Sequence, residues 1–329
     1  MRAEQGAEGR RQPDPTAETD DSTEIFAPQL RLGNCAGPRR VRGLGRSTLA
    51  LRDAITRLMT EGDSAPWTVR QLFYAVTVAG GIEKTEAGYR QVQRQALLMR
   101  REGLIHYSKI ADNTRWVRRV ETFNGLDDWV DESLRTLRID LWRESEHRCE
   151  VWIEKDALAG VLMPTTIRWH VPMYVTRGYA SETFAYEAAQ NALNDGRLVR
   201  VLYLGDFDAS GIHMARDLET RLRGFLGASA NLLIFDRIAV TTAQIDAWGL
   251  PSRPNKATDT RHAHFEREFP GYEATELDAI RPGRLRELVE TAITRLIDAE
   301  QIARIRREER EARALAGQIT AQFRAGGAR

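Results

Sequence analysis

The stretch Val199-Arg-Val-Leu-Tyr-Leu-Gly-Asp-Phe-Asp-Ala-Ser-Gly211 decides how this chain is read. The apolar run from Val199 to Leu204 suits a buried strand, and Gly205 ends it. Two carboxylates follow, one residue apart. Side chains alternate along extended backbone, so Asp206 and Asp208 point to the same side. Ser210 and Gly211 then give the chain room to turn into a helix. In an open α/β sheet, ligands sit in the crevice beyond the carboxyl ends of the strands, where this pair falls. Carboxylates held close together repel unless a cation lies between them. A hard divalent ion suits such oxygen ligands, Mg²⁺ foremost. Asp-x-Asp also marks plain solvated turns, so the reading depends on the neighbouring sequence.

Working outward, strand and helix signals alternate. Cys149-Glu-Val-Trp-Ile is a candidate strand that ends at Glu154-Lys-Asp. A helix follows from Ala157 to about Trp169, in which Pro164 predicts a kink or an early end. Val171–Thr176 reads as the second strand, and Arg177-Gly-Tyr-Ala-Ser as the loop after it. Ser181 caps a helix that stops at Asn194-Asp-Gly. The third strand is Leu198–Leu204, the next helix runs from Ile212 to about Phe225, and Leu232–Phe235 is the fourth strand. This order calls for a parallel sheet covered on both faces. Glu154, Asp206 and Asp208 then converge at one edge as a candidate metal site.

The N-terminal third has a different character. Residues 1–30 carry seven acidic and three basic side chains, whereas residues 66–119 carry ten Lys or Arg against four acidic. Residues 1–44 hold few large apolar groups and read as a disordered acidic tail. Beyond them, Leu51, Ala54, Ile55 and Leu58 recur at helical spacing, with Gly62 as the stop. Thr68 predicts the cap of a second helix whose stripe is Val69, Leu72, Phe73 and Val76. Tyr74 lies off that stripe, one turn beyond Arg70. It reads either as a core-edge residue with a wet hydroxyl or as a nucleophile beside a guanidinium. Thr85 caps a third helix carrying Arg90, Arg94, Arg100 and Arg101, with Lys109 beyond its Gly103 stop. Asp112–Val117 reads as a hairpin or wing. Residues 45–125 are therefore expected to form a winged-helix domain whose basic third helix grips double-stranded DNA. A helix from Asp127 to about Arg143, with Trp129, Leu134, Leu137 and Leu141 on its apolar face, connects it to the sheet domain.

These residues carry a resemblance. A strand-end glutamate followed by a strand-end Asp-x-Asp-x-x-Gly resembles the signature of the Toprim domain of topoisomerases, bacterial-type primases and several nucleases. The order Arg70-x-x-x-Tyr74, Glu154-Lys-Asp, Arg177-Gly-Tyr and Gly205–Gly211 is similar to that of the topoisomerase VI A subunit and the related meiotic double-strand-break protein. Glu276-Leu-Asp-Ala is similar to a late motif of that family. The similarity covers roughly residues 48–298 and departs at Ala209, where the family usually has proline. It implies an α/β chain with a winged helix at 45–125, a connecting helix at 126–147, a Toprim domain at 148–298 and a helical extension at 299–329. It further implies attack of Tyr74 on a DNA phosphate, Mg²⁺ on Glu154, Asp206 and Asp208 with Mn²⁺ able to substitute, and a homodimer. Arg70 is then expected to act beside Tyr74 as a catalytic residue that stabilises the charge building on the phosphate oxygens. Strand passage in that family needs a separate ATPase subunit.

Composition sets the frame for these readings. The 329 residues are 42% hydrophobic and 29% charged, as in a globular protein, and no run approaches the roughly 20 apolar residues of a membrane span. Cys35 and Cys149 fit no metal spacing, which with the lack of an apolar leader predicts a reducing, cytoplasmic setting beside the nucleoid. His262 and His264 could form a metal pair but, with no cysteine near, read rather as surface or core residues. Glu276 and Asp278 could add to the acidic site but read rather as capping or solvated ones. Residues 284–323 read as helical, with a Glu- and Arg-rich solvated face. Two other classes compete with the transesterase: a Toprim nuclease using metal-activated water, and a winged-helix DNA-binding protein without catalysis.

Overall fold

The computed structural model describes residues 44–60, 66–111, 120–255 and 259–326. Residues 1–43 of the tail, the Gly62 stop and the wing at 112–117 lie outside the described residues. Three helices begin the fold: α1 (Arg46–Thr60), α2 (Val69–Val78) and α3 (Glu86–Arg101). Their helical stripes meet in one core of Leu51, Ile55, Leu72, Phe73, Val76, Val92 and Met99. Thr68 accepts the Gln71 N–H in a reciprocal capping box, and Thr85 accepts the Gly88 N–H. Both caps stand where the sequence placed them. Arg52 ties α1 to α3 through Gln95 and a two-pronged pair with Glu102 at 2.7 and 3.0 Å.

The second half is a doubly wound parallel sheet. Strands β1 (His147–Ile153), β2 (Met173–Val175), β3 (Leu198–Leu204) and β4 (Leu233–Ala239) stand in the order β2-β1-β3-β4, all parallel. Between them run α5 (Asp156–Arg168), α6 (Glu182–Asp195) and α7 (Ala209–Leu226). Alternation along the strands sorts the core into two layers. Val151, Ile153, Leu202 and Leu204 pack with Leu158, Val161 and Leu162 of α5 and with Leu285 and Val289 of α10 (Pro282–Thr294). Trp152, Val201 and Tyr203 face Ala185, Ala188, Leu218 and Leu222 of α6 and α7. The chain also forms α8 (Thr242–Trp248), α9 (His262–Glu268) and α11 (Ala299–Gly326).

Two expectations are corrected. Pro164 does not end α5, which runs on to Arg168. Three buried side chains, at about 2 kcal/mol each, outweigh the roughly 3 kcal/mol of an interior proline. The connecting helix α4 covers only Leu126–Thr136 and buries no residue. Arg313 of α11 donates to the Leu137 carbonyl, and Leu141 and Trp142 turn into the sheet core instead of extending the helix. No helix among the described residues is long and apolar enough to cross a membrane.

Candidate functional site

Strand β1 leads outward to β2 on one side, and β3 to β4 on the other. The order therefore reverses between β1 and β3, whose last residues, Ile153 and Leu204, are in register. Such a switch point opens a crevice at the carboxyl ends. Glu154 leaves β1 and Asp206 leaves β3 there. Glycine is required at both ends of the following turn. A Cβ on Gly205 would stand 2.9 Å from Glu154 Oε2, and one on Gly211 only 2.2 Å from the Asp206 carbonyl oxygen. Phe207 pairs its backbone with Thr275 and buries its ring against Phe265 and Phe269, leaving the flanking aspartates on the opposite side. Arg237 of β4 donates to the carbonyls of Gly205, Asp206 and Gly211, which holds the turn from beneath.

Each strand-end carboxylate is pinned through one oxygen by a backbone N–H. Glu154 Oε2 accepts from Asp206 at 3.1 Å, Asp206 Oδ1 from Leu277 at 2.7 Å, and Asp208 Oδ1 from Gly211 at 2.8 Å as the N-cap of α7. Among the described residues, Glu154 Oε1 and Asp206 Oδ2 take no hydrogen bond, and Asp208 Oδ2 has only Arg253 at 3.8 Å. Burial, and then the charge of Asp206, push the Glu154 carboxyl up to about 7. Burial likewise raises Asp206 against the pull of Lys155. Anionic oxygens that lack a full complement of positive charge fit a hard divalent cation in donor chemistry. Among the described residues, however, no three acidic, His or Cys side chains are gathered closely enough to hold a metal ion together, so the expected convergence of Glu154, Asp206 and Asp208 as a three-ligand set is not seen.

A second acidic pair lies behind the first. Glu276 and Asp278, expected to be capping or solvated, are buried. Lys155 Nζ lies 2.9 Å from Asp206, 3.2 Å from Glu276 and 2.7 Å from Asp278. Arg70 grips Glu276 with two hydrogen bonds of 2.7 and 2.9 Å, and Arg253 approaches it at 3.3 Å. Thr68 donates to Asp278 at 3.2 Å, and Gln71 to the Ile280 carbonyl at 3.1 Å. Burial disfavours the Glu276 charge, but Arg70 and Lys155 overcome that and hold its carboxyl down at about 2. On Lys155 burial again opposes the charge, and Asp278, Asp206 and Glu276 together raise its pKa. This charged seam fastens α2 to the Leu277–Ala279 turn.

Tyr74 therefore stands beside the acidic edge of its own chain. Its side chain is not wet: the residue is 4% exposed and belongs to the helical core. Burial and then Glu276 push its hydroxyl up to about 12, against Arg70, Lys155 and Arg253. Lys84 lies over its ring, 5.1 Å from the centroid. Arg90, Arg94 and Arg101 are exposed on α3, with Arg90 near Glu86 at 3.5 Å. Arg100 is half-buried above the Tyr107 ring, and Lys109 is half-buried in the Tyr107–Lys109 turn. His262 and His264 pair with Glu266 and Glu268 one turn along α9.

The structure thus joins Arg70 and Tyr74 to the edge that holds Glu154, Asp206 and Asp208. Sequence reasoning passed over Lys155, Arg253, Arg237 and Lys84. Lys155 alone carried a local signal, as the residue next to a strand-end glutamate. No family model matches the chain, and comparison with curated proteins returns no match.

Proposed function

We propose that this protein is a Mg²⁺-dependent DNA-cleaving enzyme that breaks duplex DNA by tyrosine transesterification, as its resemblance to the topoisomerase VI A subunit implies. One observation carries the reading: the helix bearing Tyr74 is fastened by Arg70–Glu276 to the same sheet edge as Glu154, Asp206 and Asp208. A winged-helix fold for the N-terminal module and a Toprim identity for the sheet domain belong to this proposal. So do a homodimer and a separate ATPase subunit.

The residues divide the work as follows. Arg90, Arg94, Arg100, Arg101 and Lys109 contact the phosphate backbone and set the register of the duplex. Arg70, held by Glu276, positions α2. The Tyr74 hydroxyl gives its proton to solvent and its oxygen attacks phosphorus. The new Tyr–O–P bond replaces the P–O3′ bond, and the departing 3′ oxygen takes a proton from water. Glu154, Asp206 and Asp208 would hold the metal, which would supply charge stabilisation for the phosphate and the leaving oxygen.

The test is cleavage of supercoiled plasmid with Mg²⁺, stopped in detergent and split with and without protease. The proposal expects broken DNA whose 5′ ends migrate freely only after protease. The burial of Tyr74 and its high pKa favour a second reading, hydrolysis by metal-activated water at the same carboxylates. Cleavage indifferent to protease and to Tyr74→Phe would establish that route instead.

A further inference from the structure

Four cations surround the Tyr74 ring or its acidic neighbours, and three are already matched. Arg70 is paired with Glu276, Lys155 with Asp206, Glu276 and Asp278, and Arg253 with Glu276 and more distantly Asp208. Lys84 differs. Among the described residues its ammonium contacts the Tyr74 ring face and donates to the Ser252 carbonyl, and it makes no ion pair. The Glu273 carboxylate accepts from the Ser252 hydroxyl at 2.9 Å instead. A lysine has three N–H donors, so two remain to be used.

The placement is built into the fold. Gly80 has φ of +71°, and Gly81 returns its N–H to the Val76 carbonyl at 2.9 Å. A Cβ on Gly81 would come within 2.9 Å of Val76 Cγ1. The chain therefore folds back tightly along α2 and brings Lys84, ten residues beyond Tyr74, over its ring. The Ser252 carbonyl then fixes the ammonium at the border between the helical module and the sheet edge.

We propose that Lys84, and not Arg70, is the residue beside Tyr74 that takes a phosphodiester oxygen of the bound DNA. An unmatched, half-buried ammonium with two spare donors and a fixed stem is suited to an anion, and a nucleic-acid backbone supplies one per nucleotide. Burial lowers the pKa of Lys84, with Glu276 and Glu273 acting against it and Arg253 with it, and an arriving phosphate supplies the direct ion pair that Lys84 does not make among the described residues. This rests on the reading that the protein binds DNA across Tyr74, and it moves the phosphate contact from the conspicuous arginine to a loop lysine.

The experiment measures anisotropy of a labelled duplex in EDTA, over a series of KCl concentrations, for wild type, Lys84→Met and Lys84→Arg. Loss of one phosphate contact lowers the slope of log K against log salt by about 0.9. Lys84→Met should show that loss, and Lys84→Arg should restore it. With Mg²⁺ added, covalent adduct formation by Lys84→Met should fall at least tenfold further than binding does. An unchanged slope, or an arginine variant no better than the methionine one, overturns the proposal. Because the EDTA arm needs no cleavage, a wild type that binds but never forms an adduct defeats the transesterase reading while the Lys84 slope still decides this one. A wild type that does not bind duplex at all overturns both.

Discussion

Two acidic sets meet at one sheet edge and are held in opposite ways. Glu276 and Asp278 are compensated by side-chain cations, Arg70 and Lys155 above all. Glu154, Asp206 and Asp208 are oriented by backbone N–H groups, which do not cancel a carboxylate's charge, and of the three Asp206 alone has a cation within 3 Å, Lys155, which it shares with Glu276 and Asp278. Their pKa values part accordingly: Glu276 down at about 2, Glu154 up at about 7. The contrast separates two roles that look alike in sequence. A carboxylate whose charge the protein has neutralised acts as a fastener. One left short of positive charge, with an oxygen free, is available to a cation from outside.

The largest expected effect breaks the fastener. Glu276→Ala leaves Arg70 and Lys155 without their shared partner and should destabilise the fold by about 3 kcal/mol in urea unfolding. Adding Lys155→Met should recover part of that loss, a coupling on the order of 1 kcal/mol. Strict additivity of the two changes would show that the seam does not act as a unit.

The second effect sharpens the contrast through pH. Glu154 has a folded pKa of about 7 against an ordinary 4.5, so the folded state holds its proton more tightly. The stability this provides is complete below pH 4.5 and is lost as pH rises through 7, on the order of 1–3 kcal/mol. Glu276, depressed to about 2, works the other way: its contribution is present above pH 4.5 and is lost as pH falls toward 2. Thermal unfolding should therefore weaken on both sides of about pH 4.5. Mg²⁺ should restore the alkaline side alone, and equal rescue at both ends would contradict the division. The smallest effect is Glu154→Gln. It keeps a side-chain oxygen for the Asp206 N–H while removing the repulsion, so stability at pH 8 should rise by about 1 kcal/mol, with the Mg²⁺ response gone.

Much of this was legible in the chain because the signals are local. The caps Thr68, Thr85 and Ser181, the strand Leu198–Leu204 and the placement of Glu154 and Asp206 each just past the end of a strand all follow from spacing within a dozen residues. What sequence reasoning missed is long-range. Arg70 meets Glu276 across 206 residues and Lys155 meets Asp278 across 123, and no periodicity encodes such a pairing. Glu276-Leu-Asp278 therefore passed for a solvated turn. Pro164 and the end of α4 were misread for a related reason, since tertiary packing overrode a local preference. Tyr74 was placed correctly beside Arg70, but its burial with Phe73 and beneath Lys84 is something no helical wheel of α2 reveals.

The most direct test of the central claim is mass spectrometry of the protein after reaction with duplex DNA and Mg²⁺. Denaturation, exhaustive nuclease treatment and trypsin should yield the peptide Gln71–Lys84, bounded by Arg70 and Lys84. The account predicts that this peptide carries a nucleotide through a phosphodiester on Tyr74. Cleaved DNA with free 5′-phosphate ends and an unmodified Gln71–Lys84 peptide would contradict it.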